Sequence, residues 1–245
     1  MSNFSLSLLL GLVAALADVF GALILVRTHW EKRYLRYFVA LGAGFMLAAA
    51  LLEMIPESFR LSFRWTPILV LGGYSLIHLL EHTITPHFHF GEENCSEELL
   101  SIHTSNSVVF GLAAHSLFDG VAIASGFVLS SWLGWVIFVA ILLHKLPEGF
   151  TVASVMLASG HTRTAALTSA VIVAAATMAG VLVINFFPGW VRAGLPLAAG
   201  VAIYVTATDL VPEVNREPGI RMALVFFGGV AAFLITKFLA DGFLR

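Results

Sequence analysis

Eight long apolar stretches set the outer limits of this fold. The first opens the chain at residues 1–26, and the others run at 36–56, 66–83, 104–129, 132–158, 161–187, 192–212 and 219–240. Each is close to the length, about 20 residues, that crosses the hydrocarbon core of a bilayer. Each is also continuously apolar, whereas membrane strands would alternate and would need closure to satisfy their edges. The pattern therefore predicts an all-α integral membrane protein with eight transmembrane helices. Composition agrees, because only 11% of residues are charged and 59% are hydrophobic, against roughly 25% charged in soluble domains. At about 30 residues per span and connection, the 245 residues are expected to form one transmembrane domain over 1–245, which excludes a separate soluble enzyme domain.

The first stretch lacks a basic leader and is too long for a signal-peptide core, so it is expected to stay as the first span. With 13 Lys and Arg against 15 Asp and Glu, the net charge of -2 offers no basic field for nucleic acid. The single cysteine, Cys95, can close no intrachain disulfide and can build no thiolate zinc cluster.

Basic residues in alternate connections vote on orientation. Arg27, Lys32, Arg33, Arg36, Arg163, Arg216 and Arg221 fall on one side, and Arg60, Arg64, Arg192, Lys237 and Arg245 on the other. The cluster before the second span places the first connection in the cytoplasm and both termini outside. The longest connection, 84–103, then lies on the cytoplasmic side. It holds His87, His89, His103, Glu92, Glu93, Glu97 and Glu98 without Lys or Arg, a composition suited to loose cation binding.

Two distant segments share a pattern. LLEMIPES carries Glu53 and Pro56-Glu57, and TATDLVPE carries Asp209 and Pro212-Glu213. With eight spans these segments run in opposite directions, which predicts a 3+2+3 arrangement with inverted repeats flanking a central pair. Chance similarity in an apolar composition is the other reading.

The chemistry concentrates in that central pair. His115 and Asp119 are four residues apart in HSLFDG, and His144 and Glu148 repeat the interval in HKLPEG. An i, i+4 spacing sets both side chains on one helical face. Two antiparallel helices joined by the short SSW connection can bring two imidazoles and two carboxylates to one level. A lone intramembrane His or Asp often only ties two helices together. Four such groups, each costing about 2.5–3.5 kcal/mol at bilayer depth for an Asp, exceed what a structural tie needs. The donor set suits Zn2+, Fe2+, Mn2+ or Cd2+, while Mg2+ prefers oxygen and Cu+ prefers sulfur. The metal is expected as transported substrate, with no cofactor. Pro147 frees the Leu143 carbonyl and is expected to kink the helix at this level. Gly120 and Gly149, directly after the carboxylates, are expected to admit a neighbouring helix closely. Asp18 either lines the path or pairs with a neighbouring helix. His78 and His82 read as interfacial.

At these residues the chain resembles the ZIP (Zrt/Irt-like) family of metal-ion transporters. The likeness runs through LLEMIPES, GYSLIHLLEH, HSLFDG, HKLPEG and DLVPE, with a His-containing loop after the third span. It implies that His115, Asp119, His144 and Glu148 form the principal transport site at mid-membrane. It also implies an elevator motion, in which helices 1, 4, 5 and 6 move past a scaffold of helices 2, 3, 7 and 8, often in a homodimer. Ser116 and Lys145 match positions that in some members help to build a second metal site. Here the chain departs from that pattern: a protonated lysine cannot coordinate a metal, and the sixth span contains no acid. One metal is therefore expected, with Lys145 as a tethered substitute for the second, pairing with Asp119 or Glu148. Glu53, Glu57, Asp209 and Glu213 read either as entrance and exit groups or as helix caps.

The competing class is a membrane-embedded zinc-dependent hydrolase, which also gathers His and Asp around a metal-bound water. It is disfavoured because no HExxH pair is present and no separate general base is evident. A bis-His haem carrier is disfavoured by acids one turn from both imidazoles.

Overall fold

The computed structural model describes residues 2–27, 32–83, 102–215 and 220–243, apart from the side chains of 32–35, 102–104, 213 and 240–243. Most of the histidine- and glutamate-containing connection, with Cys95, lies outside the described residues. The rest forms eight helices and, among the described residues, no strand. These are α1 (Asn3–Arg27), α2 (Lys32–Ala49, continuing through Ala50–Met54 into Ile55–Leu61), α3 (Thr66–Thr83) and α4 (Ile102–Leu129). They are followed by α5 (Ser131–Ala158), α6 (Arg163–Phe186), α7 (Val191–Val205, continuing through Thr206–Leu210 into Val211–Asn215) and α8 (Ile220–Phe243). The chain is a multi-pass, all-α membrane protein. Seven of the helices are long and apolar enough to cross a bilayer. The eighth, α3, has 18 residues and is polar towards its end, where His78, Glu81 and His82 lie.

Helix ends follow local chemistry. Ser130 alone separates α4 from α5, and its hydroxyl accepts the Leu133 N–H at 3.1 Å. Thr162 caps α6 in the same way, accepting from Ala165 at 3.2 Å. Such caps satisfy amide donors that have no partner inside the helix.

Two helices run further than the prolines suggest. From sequence, the second and seventh spans end at Pro56 and Pro212, yet α2 continues to Leu61 and α7 to Asn215. The reason is a π-helical turn just before each proline, at Ala50–Met54 and Thr206–Leu210. A π turn widens the ladder to i→i+5 bonds. The Ile55 N–H reaches the Ala50 carbonyl, and the Val211 N–H reaches that of Thr206. Each proline then enters as the start of a new α segment, where its missing N–H costs little. α5 passes Pro147 as one unbroken helix.

The packing repeats in two copies. α1 packs on α5 as α6 packs on α4, and α2 packs on α8 as α7 packs on α3. Close approach depends on glycines at matching places. A Cβ on Gly44 would overlap the Phe226 carbonyl oxygen and one on Gly229 that of Leu41, while Gly200 meets Val70 and Gly73 meets Leu197 in the same manner. In the centre, Gly149 lies against the Asp18 carbonyl and Gly120 against that of Thr177. Small residues that bring helix backbones together are the usual packing device in lipid, where burial of apolar surface gives little drive. The two π turns fall on equivalent members of the repeat. This regularity supports the inverted-repeat reading over chance similarity.

Outward-facing apolar side chains complete the membrane pattern. On α1, Leu9, Leu12, Leu16 and Phe20 are exposed, and on α8 Ile220, Leu224, Phe227, Ile235 and Phe238 are exposed. Contiguous apolar surface on this scale is stable against hydrocarbon and not against water.

Candidate metal centre

α4 and α5 face each other through their i, i+4 pairs. Ligand atoms of His115, Asp119, His144 and Glu148 all lie within 4.8 Å of one another, and all four side chains are buried. All four predicted site residues are thus brought together. The Nδ1 of His144 lies 3.1 Å from the Ala140 carbonyl. A carbonyl only accepts, so Nδ1 donates, and a neutral ring then presents the bare lone pair of Nε2. That Nε2 stands 3.3 Å from Asp119 Oδ2, and His115 Nε2 stands 3.2 Å from the same oxygen. Neither ring nitrogen of His115 has a hydrogen-bond partner, although the ring is buried. Lone pairs and an anionic oxygen converge, which is what a cation site requires.

One flank of this group carries a cation of the chain itself. Lys145 is fully buried. Its Nζ donates to Ser116 Oγ at 2.6 Å and to Glu148 Oε2 at 2.7 Å, and sits 2.9 Å from Asp119 Oδ2. The Ser116 hydroxyl in turn donates to Glu148 Oε1 at 2.6 Å. The sequence reading paired Lys145 with Asp119 or Glu148, and the structure gives it both. Asp18 of α1 is the residue left open by sequence. It is fully buried, 3.6 Å from Lys145 Nζ, and neither of its carboxylate oxygens has a hydrogen bond. Its carbonyl is the one on which Gly149 packs, so α1 delivers the acid to the level of Glu148.

The other acids and histidines singled out in the sequence have contacts outside this group. Glu53 of α2 pairs with Lys237 of α8, and Lys237 also donates to the Leu52 carbonyl at 3.0 Å. Leu52 is four residues before Pro56, so the lysine supplies the donor that the proline lacks. Glu57 pairs with Arg60 on its own helix at 2.9 Å. In α7, Asp209 is buried and accepts from the Thr208 hydroxyl at 3.0 Å. Tyr204 donates to Glu81 of α3 at 2.7 Å, a contact not foreseen from sequence because its partners are 123 residues apart. The rings of His78 and His82 lie with centroids 3.9 Å apart, tilted by 41°, and the Nδ1 of His82 meets the His78 carbonyl at 2.8 Å. The side chain of Glu213 is outside the described residues.

The buried cluster fits a metal ion, and comparison with known proteins points the same way. The profile described as ZIP Zinc transporter matches residues 95–237, more than half of the chain. The chain belongs to the ZIP zinc transporter family. Among curated ZIP relatives it is similar to Zinc transporter SLC39A7 of Homo sapiens, 27% identical over 168 residues, covering 60% of this chain and 35% of that protein. Zinc transporter zipt-7.1 of Caenorhabditis briggsae is 30% identical over 106 residues, covering 40% of this chain and 27% of the relative. Uncharacterized protein MJ1036 of Methanocaldococcus jannaschii is 29% identical over 126 residues, which is 50% of this chain and 51% of that protein. The chain therefore spans about a third of the length of its zinc-transporter relatives. Within a ZIP frame the lysine between the two carboxylates is the feature that sets the charge of the centre.

Proposed function

We propose that this ZIP chain carries divalent transition-metal ions across the membrane through a single site made by His115, Asp119, His144 and Glu148. Zn2+ is the first candidate, with Fe2+, Mn2+ and Cd2+ also suited to the donors. The observation that carries the reading is the convergence of two imidazole nitrogens and two carboxylates within 4.8 Å, all buried. Family membership favours a carrier over a zinc-dependent hydrolase.

The charge of the centre supports one ion. With all carboxylates ionised, Asp18, Asp119 and Glu148 against Lys145 leave two negative charges, which one divalent cation balances. Lys145 occupies the flank where a second ion would sit. An ammonium that competes for the same oxygens also lowers the net gain on metal binding, and a carrier must release its cargo. Each imidazole binds as the neutral ring, so metal and protons compete for the same nitrogens.

Both termini outside a cell membrane follow from the distribution of Lys and Arg, and movement towards the cytoplasm is part of the same proposal. An elevator motion is supported by the packing, since the site and Asp18 belong to α1, α4 and α5, with α6 closing the group. A homodimer, as in the family, is part of the same reading.

Uptake of radioactive Zn2+ into proteoliposomes tests the site. His144→Ala and Glu148→Ala are each expected to reduce uptake by at least about a hundredfold, because outer-shell losses alone cost about 10–100-fold in metal sites. Transport unchanged in both variants rejects the assignment. Metal bound per chain reads the single-ion part: one in the native protein, and more after Lys145→Asp.

A further inference from the structure

Lys145 and Asp18 together leave something unexplained. The ammonium already serves Ser116, Asp119 and Glu148 at 2.6, 2.9 and 2.7 Å. Asp18, at 3.6 Å, stays just outside hydrogen-bond distance. Both Asp18 oxygens are buried without a hydrogen bond. A buried carboxylate without a hydrogen bond is costly, and the long ion pair of Asp18 with a lysine whose shorter contacts go to Ser116, Asp119 and Glu148 calls for a state in which the two draw together.

That state is the loaded one. A metal held by His115, His144, Asp119 and Glu148 draws on the same two carboxylates that Lys145 contacts. The charge of the entering ion weakens the ammonium's hold on those carboxylates, and the ammonium is buried on every side. The geometry points to Asp18 as the seat that receives the Lys145 ammonium when a divalent ion binds, which makes Asp18 a positioning residue for transport. The reading rests on the metal site proposed above. Lys145 keeps its charge throughout and changes only its acceptor. Metal entry is then an exchange of cations within a fixed cage, and metal exit reverses it as the lysine returns to Asp119 and Glu148.

The repeat shows that the seat is an addition to the frame. Counting along the repeat, Thr177 of α6 is the counterpart of Asp18 and Ser116 of α4 is the counterpart of Lys145; Gly120 packs on the Thr177 carbonyl as Gly149 packs on that of Asp18. On that side both residues are neutral. Charge has been placed on one side only, as an acid and a base together.

A crystal structure of the native chain grown with Cd2+ tests the exchange directly. The expected result is Cd2+ on His115, Asp119, His144 and Glu148, with Lys145 Nζ moved to hydrogen-bond distance of an Asp18 oxygen. Cd2+ on those four ligands with Lys145 still on Asp119 and Glu148 overturns the seat while leaving the metal site standing. Cd2+ bound elsewhere overturns the metal site itself, and the seat with it. In solution, Asp18→Asn is expected to weaken Cd2+ binding by roughly tenfold, measured by titration calorimetry, and to lose most of that effect in a Lys145→Met background. An equal loss in both backgrounds shows that Asp18 acts without the lysine and sinks the proposal. Asp18→Glu, which keeps a carboxylate, should restore most of the affinity.

Discussion

The two outer helix crossings, α2 on α8 and α7 on α3, share a backbone and differ in charge. Each has a glycine on either partner seated against a carbonyl, Gly44 with Gly229 and Gly200 with Gly73. Each has a π turn before a proline. At equivalent places on these frames, one crossing pairs Glu53 with Lys237. The other has Asp209 at the place of Glu53 and Glu81 at the place of Lys237, with Tyr204 donating to Glu81. Because the repeat is inverted, these crossings lie towards opposite ends of the bundle, one built on an acid–base pair and the other on two acids. The geometry of a crossing is set where glycines let backbones touch, so charges beside them are free to specialise. An inverted repeat therefore does not imply two chemically equal ends.

The largest expected effect tests whether the frames are equivalent. Gly44→Ala and Gly200→Ala each place a methyl onto a carbonyl oxygen of the facing helix, and a backbone atom cannot step aside as a side chain can. Overpacking typically costs about 1–3 kcal/mol, which corresponds to a fall of roughly 2–12 °C in the thermal midpoint for a chain of this size. Both substitutions should destabilise by similar amounts in detergent melts. Gly228→Ala is the control, because a Cβ there meets nothing within 4 Å, and helix propensity alone predicts a gain of up to about 1 kcal/mol. A loss at only one crossing would break the equivalence.

That equivalence was half visible in the sequence. The acid-x-x-Pro-Glu segments around Glu53 and Asp209 marked the repeat, and apolar periodicity placed the spans, because hydrophobic length is a local property. The grouping of His115, Asp119, His144 and Glu148 was legible for the same reason, since i, i+4 spacing fixes a shared face within one helix. What escaped was non-local. Neither the Glu53–Lys237 pair nor the Tyr204–Glu81 bond has a spacing rule, because each joins two helices far apart in the chain. The π turns escaped because proline is read as a stop, and only the backbone shows that the ladder widens to let it through. Asp18 was noticed as a buried acid, but its partner on α5 could be assigned only once α1 was seen to pack there.

Charge at the crossings gives the next effect. Lys237→Glu converts the acid–base crossing into one with two acids, like its counterpart, and should lower the KM for Zn2+ uptake by about three- to tenfold, since local acidic charge concentrates cations. The reciprocal Glu81→Lys should raise KM by a similar factor at the other end. Both effects should shrink in high salt, which screens steering. A KM indifferent to both changes would mean that the crossings are structural clasps that do not face the metal's path, and the contrast between the ends would then concern stability alone.

A third effect separates the acidic crossing's hydrogen bond from its charge. Tyr204→Phe keeps the buried ring and its edge-on contact with Tyr74 at 5.0 Å but removes the 2.7 Å hydrogen bond to Glu81. A hydrogen bond to a charged group is worth about 1.5–3 kcal/mol, and about 1 kcal/mol if the acceptor is neutral. The substitution should therefore lower the thermal midpoint by a few degrees, roughly 2–4 °C per kcal/mol. In a Glu81→Gln background the loss should fall to the neutral value. If it does not fall, the phenol is not stabilising the Glu81 carboxylate, and the tyrosine holds α7 to α3 by its ring alone.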